Sequence, residues 1–318
     1  MRVLVLALDG VFDSGLAVVL DTLETASALA TGRRPIRFDV TIAGLRRAVT
    51  THQGLRVPVE ALRDLPRPDV VVMPALGAKT VETIEAALAR ADVAETAALL
   101  RGWASAGVPV AGACTATFVL AASGILDGGA ATTTWWLSPL FRERFPAIAL
   151  DESRMIVESA GVITAGAALA HVDLALWLVR RKSPALAHAT ARHLVFDARP
   201  SQAYYAMPDH LAHADPLVER FEAWARRNLT SFNLADAARY TGTSQRTLER
   251  RLRAVLGTSP LSYVQDLRVE QAVHLLQTTK DSIDEVAAAV GYRDGATLRV
   301  LLRRKTGRGI RQLRGVAG

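Results

Sequence analysis

The chain has 318 residues, half of them apolar and 22% charged. That is too long for one small module and too hydrophobic for a disordered chain, so two domains with cores of their own are expected. The net charge of +7 is unevenly placed: residues 213–318 hold 18 Lys+Arg against 11 Asp+Glu, while residues 1–212 hold 20 of each. A uniformly basic protein is thereby excluded, and the last third alone is expected to meet a polyanion.

In chain order, the apolar run Val3–Leu8 is cut off by Asp9, too short for a signal-peptide core, and predicts a first strand. Leu16–Ala30 predicts a helix, Asp69–Pro74 a buried strand, and Val81–Leu88 and Val93–Ala106 two helices. Val108–Leu126 holds 19 uncharged residues, the length of a membrane span, but Pro109, Gly112 and Gly124 predict a strand, a tight turn and a helix (Thr115–Ser123) instead. Gly161–Ala165 and Ala168–Arg180 add a strand and a helix. This alternation predicts an α/β domain with a parallel sheet between helices. Cys114 is the only cysteine, so no disulfide or cysteine-bound metal is expected and the setting is read as reducing and cytoplasmic, away from membranes. The histidines, His52, His171, His188, His193, His210, His213 and His274, show no metal-ligand spacing. Neither metal nor cofactor is expected. Phe196–Pro216, with Pro200, Pro208 and Pro216, is expected to link the domains.

Beyond Pro216 the pattern is helical and repeats. Leu234, Ala238, Gly242, Leu248, Leu252 and Gly257 correspond to Ile283, Ala287, Gly291, Leu298, Leu302 and Gly307, at an offset of 49 residues up to the first glycine pair and 50 after it. Each unit predicts two short helices around a glycine turn, the spacing of a helix-turn-helix. In the first, Leu234–Tyr240 supports Ser244–Val255, which Ser244 caps and which buries Leu248, Leu252 and Val255. Ser244, Gln245, Arg246, Thr247, Glu249, Arg250 and Arg253 are then the candidates for contact with double-stranded DNA, because arginine and glutamine present paired donors to base edges. In the second, around Ala296–Thr306, the candidates are Thr297, Arg299 and Arg303, with Gly295 and Ala296 small enough to let DNA approach. Arg304, Lys305, Arg308, Arg311 and Arg314 are expected on phosphates.

In the front part, GACTATFVL (Gly112–Leu120) predicts a strand, a sharp turn at Cys114 and a helix. This is a nucleophile-elbow arrangement, in which the helix amino end is expected to lower the thiol pKa.

The stretch Leu234–Gly307 resembles the tandem DNA-binding domain of AraC/XylS-type transcription regulators. That resemblance implies a linking helix at about Ser262–Gln277 that presents both recognition helices to successive major grooves. Val300 stands where many members carry a polar or basic residue, and Ile310 replaces a proline usual in the final turn. Val3–Gly15, Pro68–Gly77, Gly112–Trp136 and Gly161–Val179 resemble the ThiJ/PfpI superfamily, and the whole chain is similar to GlxA-type regulators, which fuse the two. The resemblance implies a flavodoxin-like sandwich at 1–195 for sensing and dimerisation, a linker at 196–216, and an all-α tandem helix-turn-helix domain at 217–318. Hydrolases of this superfamily pair the cysteine with an adjacent histidine and an acidic residue after the first strand, positions held here by Thr115 and Gly15. Thr134 replaces a histidine common in such regulators. The resemblance therefore implies a homodimeric regulator without catalytic residues, whose pocket of Asp13, Cys114, Thr115 and Thr134 takes a small-molecule effector and whose further partner is RNA polymerase. The alternative is a cysteine-dependent hydrolase or hydratase using Cys114.

Overall fold

The computed structural model describes residues 1–33, 35–62, 65–197, 199, 201–202, 205, 207, 211, 213 and 215–315. The chain falls into two compact units, Met1–Leu137 with Phe145–Gln202, and Ser138–Arg144 with Ala203–Gly318.

The first unit runs β1 (Arg2–Leu6), α1 (Asp13–Leu29), β2 (Asp39–Gly44), β3 (Ala48–Thr50), β4 (Arg56–Pro58), β5 (Glu60–Ala61), β6 (Val70–Met73), α2 (Val81–Leu88) and α3 (Ala91–Ser105). It continues through β7 (Val110–Ala113), α4 (Ala116–Ala122) and β8 (Ala130–Ala131). After α5 (Ser138–Arg144), assigned to the other unit, come β9 (Ala149–Leu150), β10 (Ile156–Ser159), β11 (Val162–Ala165), α6 (Ala170–Lys182) and α7 (Pro184–His193). Seven strands form one sheet in the order β10-β11-β7-β6-β1-β2-β5. Alternate residues divide its faces. Val3, Val5, Val70, Val72, Ala111 and Ala113 pack with α1, α6 and α7. On the other face Gly112 lets α4 come close: a Cβ there would stand 3.1 Å from Leu120 and 3.3 Å from Ala116.

All four strands expected from the sequence are present, but the sheet is not wholly parallel. β10 joins its edge antiparallel to β11 across a two-residue turn, Ala160–Gly161, with φ of 49° and 81°. Those angles fit a tight hairpin, and the turn lacks the Asn-Gly or Asp-Gly pair that announces one in sequence. β2 and the two-residue β5 also escaped the sequence reading, because neither is a continuous apolar run. Gln202, inside the expected linker, belongs to the first unit. Its side chain is 1% exposed and bonded to Ala167, Thr132 and Thr133. Pro200, Pro208 and His210 lie outside the described residues.

The second unit is helical: α8 (Pro216–Arg227), α9 (Leu234–Tyr240), α10 (Gln245–Leu256), α11 (Pro260–Thr278), α12 (Ile283–Ala289), α13 (Gly295–Thr306) and α14 (Ile310–Leu313). Side-chain oxygens of Asp215, Asn233, Ser244, Ser259, Ser282 and Asp294 accept backbone N–H groups at the starts of α8 to α13. Each such cap contributes about 1 kcal/mol. There are two small cores, one per repeat, and α11 serves both. Tyr263, Val264 and Leu267 pack with Leu248 and Leu252, whereas Val269, Ala272 and Leu276 pack with Leu298 and Leu302. The third core residue of α10 is Leu256, and the Val255 chosen from the sequence is only partly buried. Gly242 and Gly291 take φ of 73° and 86° in the turns, and Gly257 and Gly307 close α10 and α13 at 69° and 71°. These are left-handed positions at which a side chain costs free energy, which is why the repeat keeps them.

No helix among the described residues is long and apolar enough to cross a membrane.

Candidate DNA-binding helices and the cysteine elbow

The two second helices, α10 and α13, present the basic candidates. Ser244 Oγ accepts the Thr247 N–H (3.1 Å) and donates its own proton to Thr247 Oγ1 (2.9 Å), so these two residues fix the start of α10. Beyond them Gln245, Arg246, Arg250 and Arg253 are exposed, with Glu249 half-buried. Arg246, Thr247, Glu249, Arg250 and Arg253 border a surface groove of about 560 Å³. On α13, Ala296, Thr297, Arg299 and Arg303 are exposed, and Thr297 is bonded to the capping Asp294 through both its N–H (2.7 Å) and its hydroxyl (3.1 Å).

Two residues of this unit are held by contacts that their spacing does not disclose. Gly295 is buried, and its smallness is used where α13 packs on α12. Its N–H donates to Asp284 Oδ1 at 2.8 Å, and a Cβ would stand 2.8 Å from both that oxygen and Ile283 Cγ2. Gly295→Ala is therefore expected to lower stability by about 1–3 kcal/mol through overpacking of α12 on α13. A urea midpoint unchanged from that of the parent chain would contradict this. Lys305 is not free for phosphate, since its Nζ lies 2.7 Å from Asp266 Oδ1 and so ties α13 to α11. Arg304 and Arg311 remain exposed, while Arg314 donates to the Asp281 carbonyl.

In the first unit, β7 ends in the expected sharp turn. Cys114 has φ of 56°, a left-handed conformation costing about 1–2 kcal/mol in a residue with a Cβ. Its N–H donates to the Ala165 carbonyl (2.9 Å), and its carbonyl accepts from the Thr133 hydroxyl (2.8 Å). The expected low thiol pKa is overturned. Burial pushes the thiol up to about 11, outweighing the Thr115 and Ala168 amides and the Thr134 hydroxyl, which favour the thiolate. Taking the thiolate out of water costs more than the nearby helix-end amides return. Thr115 donates its hydroxyl to the Leu76 carbonyl at 2.6 Å. Thr134 is fully buried, and its hydroxyl makes no hydrogen bond of ordinary geometry. Asp13 opens α1, where Oδ2 accepts the Gln53 N–H at 3.1 Å and Oδ1 is buried without a partner. Cys114, Thr115 and Thr134 are thus neighbours. Asp13 reaches them indirectly, since Phe12 and Thr115 donate to the adjacent carbonyls of Ala75 and Leu76.

The residue that the sequence reading passed over here is His171, on α6. It is fully buried, its Nε2 accepts the Ala75 N–H at 3.0 Å, and its Nδ1 faces the Ala168 carbonyl. These partners fix the neutral tautomer with the proton on Nδ1. A Cβ on Gly15 would stand 2.7 Å from His171 Nε2, so imidazole fills the space that a side chain at position 15 would need. The available signal was the lone glycine in the first turn of α1, a position that helix propensity disfavours.

Burial lowers the His171 pKa to about 4. The unfolded chain would protonate near the ordinary 6.5, so this group's contribution is complete above pH 6.5 and is lost as pH falls toward 4. The His171 ring resonances are accordingly expected to stay in the neutral position down to about pH 5. Titration near pH 6.5 in the folded protein would contradict this.

Among the described residues no group of three or more His, Cys, Asp or Glu side chains is placed to hold a metal.

An α/β sandwich with a cysteine elbow, followed by two helix-turn-helix units around one shared helix, defines a two-module class of protein. Residues 1–181 match the model of the DJ-1/PfpI family and residues 237–315 match a helix-turn-helix domain model; the chain belongs to the DJ-1/PfpI family. It is 29% identical over 215 residues to the HTH-type transcriptional regulator GlxA of Rhizobium meliloti, covering 65% of this chain and 65% of that protein. It is 28% identical over 293 residues to the HTH-type transcriptional regulator GbdR of Pseudomonas aeruginosa, covering 90% and 77%. A crystal structure of an AraC family transcriptional regulator from Pseudomonas putida aligns with a TM-score of 0.51 at 23% identity, over 61% of this chain and 98% of that one. That likeness is one of fold.

Proposed function

We propose that this protein is a sequence-specific DNA-binding transcription regulator, with the sheet domain as effector sensor and homodimer interface. The observation that carries this reading is the pair of capped, outward-facing second helices held by α11, each with exposed arginines and each on its own core. Selection from a randomised duplex library with the full chain at near-physiological salt is expected to enrich a motif of two blocks about one helical turn apart. Retention that depends on salt without enrichment would mean binding to phosphates only. RNA polymerase is the natural further partner of such a regulator at a promoter.

For the sheet domain we infer ligand binding without catalysis. The residue after Cys114 is Thr115, imidazole fills the space beside Gly15, and the thiol is buried and protonated at neutral pH. The buried Asp13 Oδ1, which has no hydrogen-bond partner, supports a polar effector at the carboxyl ends of the strands, since buried polar atoms ordinarily find partners. Gln202 binds beside Thr132 and Thr133, and Asp215 both caps α8 and pairs with Arg251 of α10. On this reading, native Cys114 is expected to resist alkylation at pH 8, while urea-unfolded chain reacts freely. Rapid native alkylation, together with turnover abolished in Cys114→Ala, would favour the hydrolase alternative.

A further inference from the structure

The outward faces of the two second helices differ in chemistry. In α10 the stations opposite the buried Leu248 and Leu252 are Arg246, Arg250 and Arg253. In α13 the equivalent stations, opposite Leu298, Leu301 and Leu302, are Ala296, Val300 and Arg303. At 3.6 residues per turn these three lie within about 60° of one another around the helix axis. Val300 is 69% exposed and stands among the exposed cations Arg299, Arg303 and Arg304. It has no part in the second core, which Leu298, Leu301 and Leu302 fill. Nor does it favour the helix, because a β-branched residue loses rotamer freedom there.

A major groove offers one apolar feature, the C5-methyl group of thymine. We propose that Val300, with Ala296 one turn before it, is a specificity-determining residue that packs on a thymine methyl. The two blocks of the site are then read by unlike chemistries. Arginine donors of α10 select guanine in one block, and Val300 selects thymine in the other. The small Ala296 leaves room for that contact, where Arg246 of the first unit would fill it. This inference rests on the reading that both second helices enter the major groove.

The test uses the full chain and the duplex recovered by selection, at one salt concentration. Each thymine is replaced singly by deoxyuridine, which removes the methyl group and leaves every hydrogen-bonding group in place. One replacement is expected to weaken binding about three- to fivefold, the effect of one buried methyl group. Val300→Ala, a substitution at an exposed position, is expected to bind the thymine and uracil duplexes alike. No sensitive thymine, or a sensitivity that survives Val300→Ala, overturns the proposal and leaves the two-block reading standing. A selection that enriches no block overturns the major-groove reading and this inference with it.

Discussion

Arg246→Ala is expected to weaken binding to the selected duplex about 5- to 150-fold, a loss of about 1–3 kcal/mol, and to relax base preference at one position. Arg246 is the second residue of α10, exposed, just past the Ser244 cap. The amino end of a recognition helix is the part that reaches base edges, and a guanidinium there can donate twice to guanine. Arg311→Ala should behave differently. Arg311 is exposed on the short α14, beyond both second helices, and a phosphate contact there would be indifferent to sequence. Its loss is expected to weaken cognate and random duplexes by the same factor and to reduce the slope of log affinity against log salt by about one. Titration of both variants on both duplexes at several salt concentrations separates the two roles. Equal losses on cognate and random DNA for Arg246→Ala would refute its assignment.

The second large effect concerns the elbow. Gly15→Ala is expected to cost about 3 kcal/mol, and Gly15→Glu more, because His171 Nε2 lies 2.7 Å from the Cβ site and is itself fully buried. His171 cannot swing aside cheaply, since both its ring nitrogens are engaged with backbone groups of Ala75 and Ala168. In a His171→Ala background the same Gly15→Ala change should cost at least about 1 kcal/mol less, which is the signature of two groups competing for one space. Urea midpoints of the two single variants and the double variant measure this coupling, and additive losses would show that the clash is not what excludes a side chain at position 15. Placing a carboxylate there thus requires more than one substitution, so the elbow is two steps away from the acid partner a hydrolase would use.

Much of this architecture was legible in the sequence because it is written in periodicity and glycine. The six paired positions from Leu234 to Gly307 each occupy equivalent places, and α2 and α9 begin and end where their patterns do. Where a feature depends on tertiary packing, the sequence was silent or misleading. Gly295 is small in either role, and only the Ile283 and Asp284 contacts reveal that it is packed against α12. Lys305 looks like its basic neighbours until Asp266 is placed beside it. The Cys114 turn was visible, yet its thiol pKa follows from burial, which no spacing discloses. His171 lies about 160 residues from the Gly15 it opposes in a fold of this kind, and no local pattern joins two such positions. β10 and β5 were missed because short edge strands carry little apolar signal of their own.

The central claim, that two helix-turn-helix units read one duplex, is tested most directly by hydroxyl-radical footprinting of the full chain on the selected site. The account predicts two protected blocks, about 10 base pairs apart centre to centre on one face of the helix. It further predicts that Arg246→Ala with Arg250→Ala removes one block and Arg299→Ala with Arg303→Ala removes the other. A single block, or protection that spreads without register and vanishes uniformly with salt, would contradict it.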